Sequence, residues 1–255
     1  MRRKSQLFIS LSLLLANASA FAALDGTADS NSFASQQNGD QIWDGASLQN
    51  DWVLNGGHTT AALSLSGSNL VFNADANNGW VEHDNGSTPW ETATGKWTLE
   101  VSAKLVDNDP AINDGFVLWG ERDGNRGVLW IQANSVTDLD GAEIAGGLDN
   151  TDGFHTFRVA FDPTDDTAAP GGTHHVWRDN VLISGAGVDI NLAGGTNNRL
   201  IVGDCCTGIG NPVDQFEIEY IRYQPNMALA PVPEPSSIAL SLLGIFGLFA
   251  ARRHR

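Results

Sequence analysis

Basic residues are scarce in the body of this 255-residue sequence. Of 14 Lys and Arg, six lie at the ends, at Arg2, Arg3, Lys4, Arg252, Arg253 and Arg255. Between them stand only Lys96, Lys104, Arg122, Arg126, Arg158, Arg178, Arg199 and Arg222, against 30 Asp and Glu, and the formal net charge is −16. So acidic a body has no counter-charge for a phosphate backbone, which excludes nucleic acid as a partner. Methionine is rare, at 2 residues, while Gly reaches 28 and Trp 8, a composition unsuited to a helical bundle. No stretch between the ends keeps a 3.6-residue period with caps, and no internal repeat recurs at fixed spacing, which disfavours a propeller or solenoid. Zinc spacing, a phosphate-cradling glycine loop and a hydrolase serine elbow are all missing.

Both ends read as addresses. Residues 1–22 combine a basic start, an apolar stretch from Leu7 to Ala16, and small-x-small patterns that place signal-peptidase cleavage after Ala20 or Ala22. At the other end Pro231, Val232, Pro233, Glu234 and Pro235 form a stiff extended segment. Ser236 to Ala251 carries no charge and would be a helix of roughly 24 Å at 1.5 Å per residue. Arg252, Arg253 and Arg255 stop it on the cytoplasmic side. The expected organisation is signal peptide 1–22, one domain 23–225, a linker 226–232, and a sorting segment 233–255 with a transmembrane helix.

This tripartite end, with Pro233, Glu234 and Pro235 before an apolar run and an arginine cluster, resembles the PEP-CTERM sorting signal. The resemblance implies a Gram-negative, exopolysaccharide-producing bacterium, and an exosortase that cuts near the Pro-Glu-Pro segment. The helix would hold the chain in the inner membrane transiently, before the body passes to the cell surface or extracellular matrix.

Residues 23–225 read as all-β. Trp97 to Leu105 alternates apolar and polar residues, with Thr98, Glu100, Ser102 and Lys104 on one face. Phe116 to Glu121 and Val128 to Ala133 flank a turn at Asp123, Gly124 and Asn125, and Asp179–Asn180 separates two further strands. Other strands are expected at Ala61 to Leu65, Asn69 to Asn73, Gly79 to His83, His155 to Phe161, Arg199 to Val202 and Gln215 to Tyr223. Strands at this spacing make a sandwich or barrel. Their order from Trp97 to Tyr223 resembles the concanavalin A-like lectin/glucanase superfamily in its laminin-G-like branch. That resemblance implies a two-sheet antiparallel jelly-roll sandwich, and a glycan or protein ligand by analogy.

No catalytic residue is assigned. Glu217 and Glu219 are expected on one strand face, about 6.6 Å apart at 3.3 Å per residue. Arg222 is expected on the opposite face and stands where a glucanase strand would carry a third acid, while Phe216, Ile218 and Tyr220 should face the core. Trp97 and Trp119 are read as core, and Trp43, Trp52, Trp80 and Trp90 lie beside turns, where exposed rings could hold polysaccharide. Calcium is the candidate cofactor, with Asp107, Asp109 and Asp114, Asp138 and Asp140, and Asp149 and Asp152 as acidic loop ligands. The remaining candidate is Asp204 with the adjacent Cys205 and Cys206. A vicinal disulfide there would form a rigid apolar platform for a sugar ring, and reduced thiols or bonds to another chain are the alternatives. The leading function is an exported, non-catalytic glycan-binding or matrix module acting on exopolysaccharide. A glycoside hydrolase or lyase of the same fold, and a structural protein-binding matrix component, are the alternatives.

Overall fold

The structure is a computed structural model that describes residues 24–28, 33–56, 59–73, 79–84, 95–106, 115–122, 125–190, 198–204 and 215–232. The strands are β1 (Gly26–Ala28), β2 (Ser35–Asn38), β3 (Trp52–Gly56), β4 (Leu63–Ser66), β5 (Asn69–Asn73) and β6 (Gly79–Asp84). They continue with β7 (Trp97–Val106), β8 (Gly115–Arg122), β9 (Asn125–Gln132), β10 (Ser135–Thr137), β11 (Glu143–Gly146) and β12 (His155–Asp162). The last are β13 (Thr173–Arg178), β14 (Val181–Leu182), β15 (Arg199–Asp204), β16 (Gln215–Pro225) and β17 (Leu229–Pro231). One short helix, α1 (Gly39–Ile42), and a 3₁₀ turn at Thr60–Ala62 are the only helical pieces among the described residues.

Two antiparallel sheets face each other. The seven-stranded sheet runs β11-β10-β9-β8-β15-β6-β3. The eight-stranded sheet runs β14-β13-β12-β7-β16-β5-β4, and β2 also pairs with β16. Alternation along β7 sends Trp97, Leu99, Val101, Ala103 and Leu105 into the interior, where they meet Phe116, Leu118, Leu129 and Ile131 of the other sheet. Phe116 stacks on Phe216 across the layers, with centroids 5.1 Å apart. The sheets pack closely at Gly120, where a Cβ would lie 2.8 Å from the Trp97 ring. The all-β sandwich expected from the sequence is therefore the observed fold. The turn between β13 and β14 has Asp179 and Asn180 at φ 50° and 64°, the left-handed pair a two-residue hairpin requires.

The structure changes four sequence readings. A bulge between Ile218 and Tyr220 on β16 shifts the pleat by one residue. Ile221 and Tyr223 face the core instead of Tyr220, and Arg222 lies opposite Glu100 on the outer face that also carries Glu217. Trp43 and Trp52, placed beside turns, are buried in the core. Trp119, read as core, is buried on the outer face of the seven-stranded sheet, in a separate cluster with Val117, Val128 and Ile201. Residues 226–232, read as a linker, are built into the body: Ala228, Leu229 and Ala230 are buried, and β17 pairs in parallel with β1.

Candidate functional site

The outer face of the seven-stranded sheet collects the chemistry. Period-two alternation puts Trp80 and Glu82 of β6, Trp119 and Glu121 of β8, Arg126 and Trp130 of β9, and Arg199 of β15 on that one side. Arg199 is the hub. Its Nε donates to Glu121 at 3.0 Å, and its Nη1 lies 3.3 Å from a Glu82 oxygen. Glu82 also accepts from the Trp80 indole at 2.9 Å and from Asn55 at 3.1 Å. The Trp119 ring lies between two guanidiniums, Arg126 at 5.3 Å and Arg199 at 5.2 Å from its centroid.

An ordinary solvated sheet face does not bury its acids, yet Glu121 is 1% exposed and Trp119 4%. Trp80, Trp130, Arg126 and Arg199 are half-buried around them. The indole nitrogens of Trp119 and Trp130 have no hydrogen-bond partner among the described residues. The same holds for the buried indole nitrogens of Trp43 and Trp177, so it is not particular to this face. Half-buried aromatic rings and fixed carboxylates on one surface can take the faces and hydroxyls of sugar rings. Glu82 and Glu121 share one guanidinium, that of Arg199.

The sequence carried a signal for this face that goes beyond single residues. Trp80-x-Glu82 and Trp119-x-Glu121 are two Trp-x-Glu strand pairs, and a spacing of two puts ring and acid together. That these pairs, with Arg199 and Arg126, converge needs the sheet order, in which β15 runs between β6 and β8.

The residues nominated from sequence are dispersed. Asp204 is the last residue of β15, while Cys205 and Cys206 lie outside the described residues, as do Asp107, Asp109, Asp114 and Trp90. Glu217 and Glu219 belong to the opposite sheet, where Glu219 accepts from the Ser102 hydroxyl at 2.7 Å. Asp138 and Asp149 cap their own loops, accepting from Ala142 N at 2.7 Å and Thr151 N at 3.0 Å. Hydrogen bonds from the Thr151 backbone and hydroxyl outweigh partial desolvation and hold the Asp149 carboxyl below its usual range. Asp152 bonds His155, whose other ring nitrogen meets Asp179, both at 2.7 Å. Among the described residues no group of three or more His, Cys, Asp or Glu is placed to hold a metal.

The outer face of the eight-stranded sheet is also charged, but it is closed. Glu100 accepts from Arg158 at 2.6 Å, from Tyr220 at 3.0 Å and from Arg222, and Phe33 lies over both guanidiniums. Burial, then the Glu100 charge, pushes the Tyr220 phenol up.

Among solved structures, the Emp47p carbohydrate recognition domain is 14% identical over 80% of this chain and 100% of that one, with a TM-score of 0.48. The VIP36 exoplasmic/lumenal domain in its Ca2+/Man-bound form is 15% identical over 79% and 93%, with a TM-score of 0.46. An endo-1,3-beta-glucanase from Streptomyces sioyaensis is 12% identical over 80% and 99%, with a TM-score of 0.48. No curated protein matches the chain. Among the described residues no helix is long and apolar enough to cross a membrane, and Ser236 to Ala251 lies outside them. The PEP-CTERM protein-sorting motif model matches residues 231–255. The chain thus carries, over those residues, the PEP-CTERM signal of exosortase-processed export.

Proposed function

We propose that the processed body is a non-catalytic polysaccharide-binding module of the cell surface or extracellular matrix, and that the outer face of the seven-stranded sheet is its binding face. The sorting motif supports delivery to that compartment. The observation that carries the binding reading is the half-buried pair Trp80 and Trp130 on the face where Arg199 holds Glu82 and Glu121, with Trp119 packed against Arg126 and Arg199. A neutral glycan suits this face, because the half-buried indoles offer apolar surface while the guanidiniums and carboxylates can take hydroxyl pairs. Signal peptidase and exosortase are the processing partners, and the producing cell's exopolysaccharide is the ligand. Cys205 and Cys206 follow β15 in sequence, and a bridge between them would be a platform for a sugar ring. Calcium enters this reading through the acidic loops of Asp107, Asp109 and Asp114, of Asp138 and Asp140, or of Asp149 and Asp152, and binding that survives a chelator would remove it.

Affinity electrophoresis of the exported protein through gels containing the host's exopolysaccharide tests the reading. Retardation is expected for the natural chain. Trp80→Ala and Arg126→Ala should each weaken binding about tenfold, which corresponds to ~1.4 kcal/mol. Release of sugar by the natural chain, abolished in Glu121→Gln, would move the assignment to the hydrolase alternative. Migration unaffected by any surface glycan of the producing cell would end the binding reading.

A further inference from the structure

The two ends of the body are stitched to each other. Gly26, Thr27 and Ala28 of β1 pair in parallel with Leu229, Ala230 and Pro231 of β17, across two hundred residues of chain. Asp25 sets the register from both sides. Its N–H donates to the Ala228 carbonyl at 2.9 Å, and its carboxylate accepts from Ala228 N at 2.8 Å. The same carboxylate takes Lys96 Nζ at 2.9 Å, and Lys96 also pairs with buried Asp162 of β12 at 2.8 Å. Thr98 of β7 adds a second tie, donating from its hydroxyl to the Met227 carbonyl and accepting from Leu229 N, both at 2.8 Å. Ala228 and Ala230 pack on Trp177 and Ala160, on the outer face of the eight-stranded sheet, with Leu24 alongside.

This stitching matters because of where it stops. Pro231 is the last strand residue, Val232 is 44% exposed, and the Pro-Glu-Pro segment begins at Pro233. Two residues span at most ~7 Å, and the five from Pro231 to Ser236 at most ~18 Å. A membrane-embedded exosortase would therefore meet a substrate whose upstream residues are buried in strand pairing. A folded body about 200 residues in size would also be held against the bilayer. Peptide-cutting enzymes bind extended chain whose backbone groups are free to pair with the enzyme. While β17 is docked, one edge of it is taken by β1, and Leu229 N is held by the Thr98 hydroxyl. Undocking residues 226–231 would add roughly 20 Å of leash, and it costs a three-residue pair of mostly small side chains plus the ties of Asp25 and Thr98.

We infer that β1 and β17 form a latch that must open before the sorting tail is cut. The N-terminal strand, freed by signal-peptide removal, thereby sets the rate at which the C-terminal signal is processed. The inference rests on the sorting motif at 231–255 and not on the glycan reading. A pulse-chase of the full-length chain in the producing organism, following the mass lost with the tail, tests it. Asp25→Ala and Thr27→Pro both weaken the latch from its N-terminal strand and should shorten the half-time of tail loss at least threefold. A six-residue Gly-Ser spacer between Val232 and Pro233 leaves the body untouched and should accelerate the cut similarly. Asp25→Ala should then add nothing in the spacer background. A spacer chain processed at the natural rate overturns the latch without any question of folding. So do latch variants whose trypsin-resistant bodies lose the tail at the natural rate or more slowly. If no chain, the natural one included, ever loses its tail, the sorting reading itself falls and the latch with it.

Discussion

His174 has no exposed surface and lies between Trp97 and Phe161, with ring centroids 5.9 Å and 4.5 Å away. Burial, reinforced by the neighbouring His175, lowers its pKa from 6.5 to about 3. The folded state therefore holds it neutral, while the unfolded chain takes up a proton near pH 6.5. Its stability contribution is whole above pH 6.5 and is lost at roughly 1.4 kcal/mol per pH unit as the pH falls towards 3. Urea midpoints measured from pH 7 to pH 4 should fall accordingly, and His174→Phe should flatten that slope. An unchanged slope would show that the ring is not held neutral. Glu100 has the opposite character, a charge that must stay. It is 2% exposed and answers two guanidiniums, so Glu100→Gln should destabilise the body by about 3–5 kcal/mol in chemical denaturation. The alternation along Trp97 to Leu105 correctly turns Glu100 outward, yet the sequence cannot show that outward means buried. Its partner Arg158 is 58 residues away and arrives only through pairing of β7 with β12.

At the scale of strands, the pattern of side chains was legible where a strand is long and one of its faces is apolar. β7, β8, β12 and β16 each announce themselves by period two, and Asp179–Asn180 announces its own turn. β1, β10, β11 and β17 do not, because three- and four-residue strands of small residues gain their stability from partners rather than from their own pattern. β16 shows a second limit. One extra residue at Glu219 swaps the faces of everything after it, which is why Tyr220 lies outside and Tyr223 inside. The close passage of β8 over β7 gives a prediction at this scale. Gly120→Ala would drive a methyl into the Trp97 ring, 2.8 Å away, and should cost about 1–3 kcal/mol in thermal or chemical unfolding. The same substitution at Gly141, which has open space around it but φ of +85°, should cost only the backbone strain, about 1 kcal/mol.

The two sheets give the molecule two unlike outer faces. The eight-stranded sheet carries both ends of the body, with β17 lying over Trp177 and Ala160 and Phe33 closing over Arg158 and Arg222. The seven-stranded sheet carries Trp80, Trp119, Trp130 and their acids on the opposite side. The proposed binding face therefore lies on the side of the sandwich opposite the strand pair that carries the body's two ends. Hydrogen exchange of the exported protein, followed by mass spectrometry with and without the host's exopolysaccharide, addresses this arrangement most directly. Added polysaccharide should slow exchange in β6, β8, β9 and β15 and leave β12 to β14 unchanged. Protection confined to the eight-stranded sheet, or none at saturating polysaccharide, would contradict it.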